Sequence, residues 1–480
     1  MNFPIVLYML GWIMFIVAGL MSLPLAVALL YGETGVVLAF AISIAVSAAI
    51  GFLLVVKKPR NRVFHLREGF VITALSWICM SLVGALPFMF SGCCSNFIDA
   101  FFETVSGFTT TGASIFPEVE SLPYGILFWR SFTHWIGGMG VLVFLLSLIP
   151  LSGGSNMNLM KAESPGPQVG KLVPKVKSTA KILYRIYFGI TVLEIIFLLF
   201  GGMNLFEAAT TTFGTVGTGG FGIKNDSIAS YSTYIQVVIT VFMILSGVNF
   251  NAYFFLVYRK FRKAFEIEEV RVYLLIILSS VTLITINICH MYDSVWKAIQ
   301  QAFFQVGTII TTTGFATTDF DTWPLFSKSI LVLLMFIGAC AGSTGGGIKV
   351  SRVILLFKSM KKEFKTILHP QSVGAVLMDK KRVQHEVMRS TNVFMVAYIF
   401  TFIISFLIVA LDNFDYTTSF TAVAATLNNI GPGLSGVGPS QNFGFFSDLS
   451  KIVMSFDMLA GRLELFPMIL LFSRNTWQRF

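Results

Sequence analysis

Thr311-Thr312-Thr313-Gly314-Phe315 decides how this chain folds, because the sequence offers it four times in variant form. It ends a short, half-apolar helix predicted over 294–308 and precedes a long apolar segment over 325–357. The same order recurs around Thr109-Thr110-Thr111-Gly112-Ala113 and around Thr215-Val216-Gly217-Thr218-Gly219-Gly220-Phe221. It recurs again, least faithfully, around Thr426-Leu427-Asn428-Asn429-Ile430-Gly431-Pro432. One such cluster is an ordinary helix stop. Four copies, aligned on Gly112, Gly219, Gly314 and Gly431, make an internal repeat the organising fact.

Working outward, each copy sits between long apolar runs. Spans are predicted over 69–90, 182–201, 272–290 and 393–411, short helices over 97–109, 205–213, 294–308 and 416–427, and return spans over 123–151, 231–258, 325–357 and 449–472. Two further apolar stretches, 3–30 and 35–56, come first. Runs of 18 or more apolar residues are membrane spans. With 55% hydrophobic and 12% charged residues over 480 positions, a string of soluble domains is excluded. The opening stretch has no Lys or Arg before Lys57 and outruns a signal-peptide core, so it reads as a retained helix. The expected fold is an all-α polytopic membrane protein with ten crossings and four re-entrant loops. A helix pair (1–66) precedes four pseudo-fourfold helix–pore-helix–filter-helix repeats (67–175, 176–268, 269–385, 386–480).

Charge sets the topology. Of 34 Lys and Arg, 28 fall in five clusters: 57–67, 161–185, 259–271, 349–389 and the C-terminus. The positive-inside rule puts those clusters, and with them the N-terminus, in the cytoplasm. Between them lie acids such as Asp99, Glu103, Glu207, Asp319 and Asp415, which would enrich cations at an outer pore mouth. The net charge of +10 thus needs no nucleic acid, and the ten basic residues of 349–389 suit anionic lipid. Five cysteines form neither a secreted framework nor a CxxC pair.

A re-entrant helix that leaves as extended backbone is tolerable only where it is buried or lines a water-filled path. To strip water from a cation, a pore must offer oxygens in a ring, and backbone carbonyls serve. Aiming successive carbonyls at one axis takes backbone conformations that glycine tolerates. The preceding threonines can add hydroxyl oxygens, and the short helices point their partially negative C-termini inward.

In these four loops the chain resembles the membrane subunits of the Trk/Ktr/HKT potassium transporters, and the TrkH-like branch most closely. The resemblance spans essentially the whole chain. It implies a potassium filter built from Thr110, Thr111, Gly112, Thr218, Gly219, Thr312, Thr313, Gly314, Asn429, Ile430 and Gly431. Potassium is then the transported ion, with no cofactor on this chain. It also implies a bacterial inner-membrane location, a homodimer, and a cytosolic nucleotide-binding TrkA-like ring on the basic face. Uptake by symport with a second ion stays open.

Five glycines between Gly338 and Gly347 cannot hold a membrane helix, each costing about 1 kcal/mol against alanine. Unwound backbone there implies a cavity, or else a close helix contact. By the resemblance, Gly342, Ser343, Thr344, Gly345, Gly346, Gly347 and Lys349 belong to an intramembrane gate loop. Arg462 lies too deep in the last span to snorkel and needs an acid or a wet path. The resemblance makes it a pore barrier below the filter; an ion pair is the rival.

Two motifs mimic enzymes. Gly217–Gly222 satisfies G-x-G-x-x-G but follows a short helix rather than a β-strand, and Lys349 follows Ile348 where a P-loop needs G-K-[ST]. No enzyme is expected. The rival transport classes are an alternating-access secondary transporter and the potassium-binding subunit of a pump.

Overall fold

The computed structural model describes residues 1–59, 65–140, 176–371 and 374–478. Four repeats are present, each an outer helix, a pore helix and a return helix. The outer helices are Leu66–Gly84, Val176–Phe200, Glu268–Ile288 and His385–Val409. The pore helices are Phe97–Phe108, Leu205–Gly217, Val295–Ile310 and Tyr416–Leu427, and the return helices Tyr124–Met139, Thr233–Ser246, Leu325–Ile337 and Asp448–Arg462.

Each pore helix starts at a polar cap whose side chain accepts a backbone N–H of its first turn: Asn96, Asn204, Ser294 and Asp415. Such caps replace water for donors that the helix cannot satisfy itself. Each pore helix then packs against its own return helix and that of the preceding repeat, the first against the fourth. The contacts close a ring.

The helix pair at the N-terminus flanks the first repeat. Phe3–Leu20 and Thr34–Val55 approach so closely that a methyl on Gly11 would stand 2.9 Å from the carbonyl oxygen of Gly51, a small-residue contact suited to lipid. Glu33 then caps the first return helix, accepting the N–H groups of Tyr124 and Gly125 at 2.6 and 2.9 Å. Both termini meet at one end: the Met1 amine donates to the Gln478 carbonyl at 3.0 Å, and Phe3 stacks on Trp477. Arg67, of the first basic cluster, reaches the Asn475 carbonyl nearby.

The return spans differ from expectation. Only the third was expected to break, yet all four stop after 13 to 16 residues. At 1.5 Å per residue that is roughly 20–24 Å, short of a hydrocarbon core about 30 Å thick. The second bends by 95° into Phe250–Val257. The third unwinds until Val350, and the fourth turns at Glu464 and Leu465, both at positive φ. The first ends at Gly140, φ 76°; its predicted continuation to 151 and most of the 161–185 cluster lie outside the described residues. Among the described residues six helices are long and apolar enough to cross a membrane, namely the N-terminal pair and the four outer helices. The remaining predicted crossings are these broken ones.

Candidate functional site

The four loops leave their pore helices in one conformation. Thr110, Thr218, Thr312 and Asn429 are left-handed at φ 57°, 57°, 58° and 57°. The N–H of the next residue then bonds five residues back: Thr111 to Ser106, Gly219 to Gly214, Thr313 to Thr308, Ile430 to Ala425, all at 2.8–2.9 Å. This is a Schellman cap, which satisfies helix-end carbonyls that water cannot reach. β-Branched threonine is a poor left-handed residue, with a cost of about 1–2 kcal/mol. Three copies of that strain mark a built site rather than a plain helix stop.

Two residues beyond each left-handed position comes a glycine at φ 82°, 78°, 89° and 94°: Gly112, Gly220, Gly314 and Gly431. The glycine equivalent to the other three in the second loop is therefore Gly220, one residue past the Gly219 of the sequence alignment. Ring closure fixes this register. A methyl on Gly112 would strike the carbonyl oxygen of Gly219, one on Gly220 that of Thr313, and one on Gly314 that of Ile430; one on Gly431 would sit 2.8 Å from that of Thr111. Each loop thus lays its glycine against the carbonyl of the next loop, round to the start.

Gly219 has a separate reason to lack a side chain. Where the other loops carry Thr111, Thr313 and Ile430, the second gives the space to the His134 ring, which a methyl on Gly219 would overlap. His134 Nδ1 lies 2.7 Å from the Gly107 carbonyl, and Nε2 accepts the Phe221 N–H at 3.2 Å. The imidazole must therefore carry its proton on Nδ1. In the fourth loop Asn429 uses its amide instead, donating to Thr111 Oγ1 at 2.9 Å and to the Met458 carbonyl at 2.8 Å.

Beneath the ring runs the loop from Gly338 to Lys349, seated against the break of the second return span. Cys340 N–H bonds the Gly247 carbonyl at 3.1 Å, and Phe250 N–H the Gly342 carbonyl at 3.0 Å. Thr344 Oγ1 donates to the Ser246 carbonyl at 3.2 Å. Glu269, missed by sequence reasoning, ties the loop ends, accepting Ala341 N–H at 2.7 Å and Ser351 N–H at 3.0 Å. Ser343 turns back to Cys340, Lys349 Nζ bonds the Gly345 carbonyl within the loop, and Gly346 N–H reaches Thr312 Oγ1. A methyl on Gly347 would stand 2.8 Å from Gly338, so the two ends of the loop touch.

Arg462 closes the return helix and crosses the space under the ring. It donates to the Thr344 carbonyl at 2.5 Å and to the Gly137 and Gly138 carbonyls at 2.6 and 3.0 Å. The nearby acids are engaged elsewhere: Glu464 pairs with Arg352, and Asp457 accepts from Ser405. Carbonyl contacts suit a guanidinium among inward-pointing helix ends. Glu103, grouped with the outer acids by its sequence position, is instead buried against Arg130 at 2.7 Å. Among the described residues no group of three or more His, Cys, Asp or Glu could hold a metal ion; the oxygens gathered here are backbone and hydroxyl.

This arrangement has relatives. A sequence profile of the TrkH family, cation transport proteins, matches residues 36–479. The chain is 38% identical to the Trk system potassium uptake protein TrkH of Salmonella typhimurium and 37% to that of Escherichia coli K12, over the full length of both partners in each case. The crystal structure of the potassium transporter TrkH from Vibrio parahaemolyticus superposes with a TM-score of 0.90 at 32% identity, each chain covered completely.

Proposed function

From the premise that this chain belongs to the TrkH family of cation transport proteins, we propose that it takes up potassium through the ring of four loops. The carrying observation is the closed glycine-to-carbonyl circuit. The carbonyls of Thr111, Gly219, Thr313 and Ile430 replace hydration of a bare cation, and the residues around them (Thr110, Gly112, Thr218, Gly220, Thr312, Thr313, Gly314, Asn429 and Gly431) hold the circuit. Four pore-helix C-termini meeting there favour positive charge. The loop over 338–349 acts as the gate and Arg462 as an electrostatic barrier below the filter. The membrane potential supplies about 2.3 kcal/mol per charge per 100 mV.

The meeting of both termini with Arg67 supports placing the N-terminus with the basic clusters, in the cytoplasm of a bacterial inner-membrane protein. There the 349–389 segment would receive a TrkA-like nucleotide-binding ring and anionic lipid, with a second copy of the chain beside it.

Proteoliposomes test the reading. Potassium-driven flux with resolvable single-channel currents, and weaker sodium flux, is the expected result. Turnover saturating without discrete currents would point to an alternating-access transporter, and absence of passive flux to a pump subunit.

A further inference from the structure

The carbonyl circuit is fourfold, but what stands behind it is not. Counted from the residue capping each return helix (Pro123, Ser232, Pro324, Ser447), the seventh position is Arg130, Ile239, Leu331 and Met454. The eleventh is His134, Met243, Met335 and Met458. All eight are buried. Three repeats put apolar side chains there, and the first puts a cation and an imidazole.

Each of these groups spans two loops. Arg130 Nε donates to Glu103 on the first pore helix at 2.7 Å, Nη2 to Ser114 Oγ beyond the first loop at 3.1 Å, and Nη1 to the Gly222 carbonyl beyond the second at 3.2 Å. Its guanidinium lies 4.3 Å over the Phe221 ring. Glu103 completes the knot by accepting from Ser114 Oγ at 3.0 Å and Ile115 N–H at 2.9 Å. His134, one turn on, links Gly107 to Phe221. A buried ion pair gains little over well-packed apolar residues of like volume, so stability alone does not account for one quadrant differing from the other three. What the polar pair adds is geometry, because a guanidinium fork fixes several acceptors at once.

Resting on the filter reading above, we infer that Arg130, oriented by Glu103 and seconded by His134, is a positioning residue that sets the spacing of the first and second filter loops and thereby the discrimination between potassium and sodium. It touches no permeating ion. It holds the exits of the two loops in register, so the carbonyls of Thr111 and Gly219 cannot close around a smaller cation.

The test compares potassium and sodium permeability, from bi-ionic reversal potentials in proteoliposomes, for wild type, Arg130→Lys, Ser114→Ala and the third-repeat control Met335→Leu. Arg130→Lys keeps the charge and loses the fork, and should lower the potassium-to-sodium ratio at least fivefold. Ser114→Ala should lower it at least twofold, and Met335→Leu should leave it within twofold. A selective wild type whose Arg130→Lys and Ser114→Ala forms keep its ratio overturns the brace alone. So does an equal fall in Met335→Leu. A folded wild type that passes neither ion overturns the filter reading and the brace with it. If Arg130→Lys fails to give one monodisperse species, Ser114→Ala decides by itself.

Discussion

The backbone N–H of Gly346 donates to Thr312 Oγ1 at 2.7 Å, joining the loop under the ring to one of its left-handed threonines. On the proposed function, the gate cannot withdraw without stripping a hydrogen bond from the filter. Opening and the inner end of the filter are therefore coupled through one hydroxyl.

Thr312→Val keeps the branched shape and removes that acceptor. A buried hydrogen bond is worth about 1 kcal/mol, so the closed state should lose roughly a factor of five against the open one. Basal potassium flux into proteoliposomes without any partner should rise accordingly. Removing Gly342 to Gly347 altogether should raise it further; flux at the wild-type level in both would speak against a gate.

Gly112→Ser places a side chain at φ 82° and against the Gly219 carbonyl. Strain of about 1–2 kcal/mol should leave the protein folded but loosen the circuit. Potassium-to-sodium discrimination should fall several-fold, read as a shifted reversal potential. Gly220→Ser should act alike, since that residue holds the equivalent place in the second loop.

Arg462→Ala removes three donors to carbonyls and one positive charge under the ring. Single-channel conductance should increase, and Arg462→Lys should lie between the two. An unaltered conductance in protein of normal size-exclusion profile would remove the barrier role.

Asp415 caps the fourth pore helix, accepting Thr418 N–H at 2.9 Å. Hydrogen bonds from the Thr418 hydroxyl and N–H hold its carboxyl below the ordinary aspartate range. A depressed value means the stabilisation is present above that range and lost as pH falls through the folded value, so stability should be flat between about pH 5 and 8. Asp415→Asn should melt near wild type, and Asp415→Ala should be less stable by about 1 kcal/mol, measurable as a lower melting temperature in detergent.

Much of this was legible from periodicity and composition. The pore helix over Tyr416–Leu427 lies where its apolar spacing and following asparagines place it, and Asp415 is a recognisable cap. The gate loop was visible because five glycines cannot stay helical in lipid. The other breaks were not. Thr233–Ser246 and Asp448–Arg462 end among residues of good helical propensity, and only contacts with other repeats make stopping there favourable. Glu103 looked like a loop acid for a related reason: its partner Arg130 is 27 residues away, and no local pattern pairs them.

The amino-acid order alone settled that apolar spans, re-entrant helices and glycine-ended loops come in fours, because hydrophobic period, capping and glycine freedom act over a few residues. Tertiary structure decided which glycine of the second loop joins the ring and why Gly219 stands beside it. A one-residue register is degenerate where two glycines adjoin. It is resolved only when the His134 ring fills one side-chain space and the neighbouring loop's carbonyl fills the other.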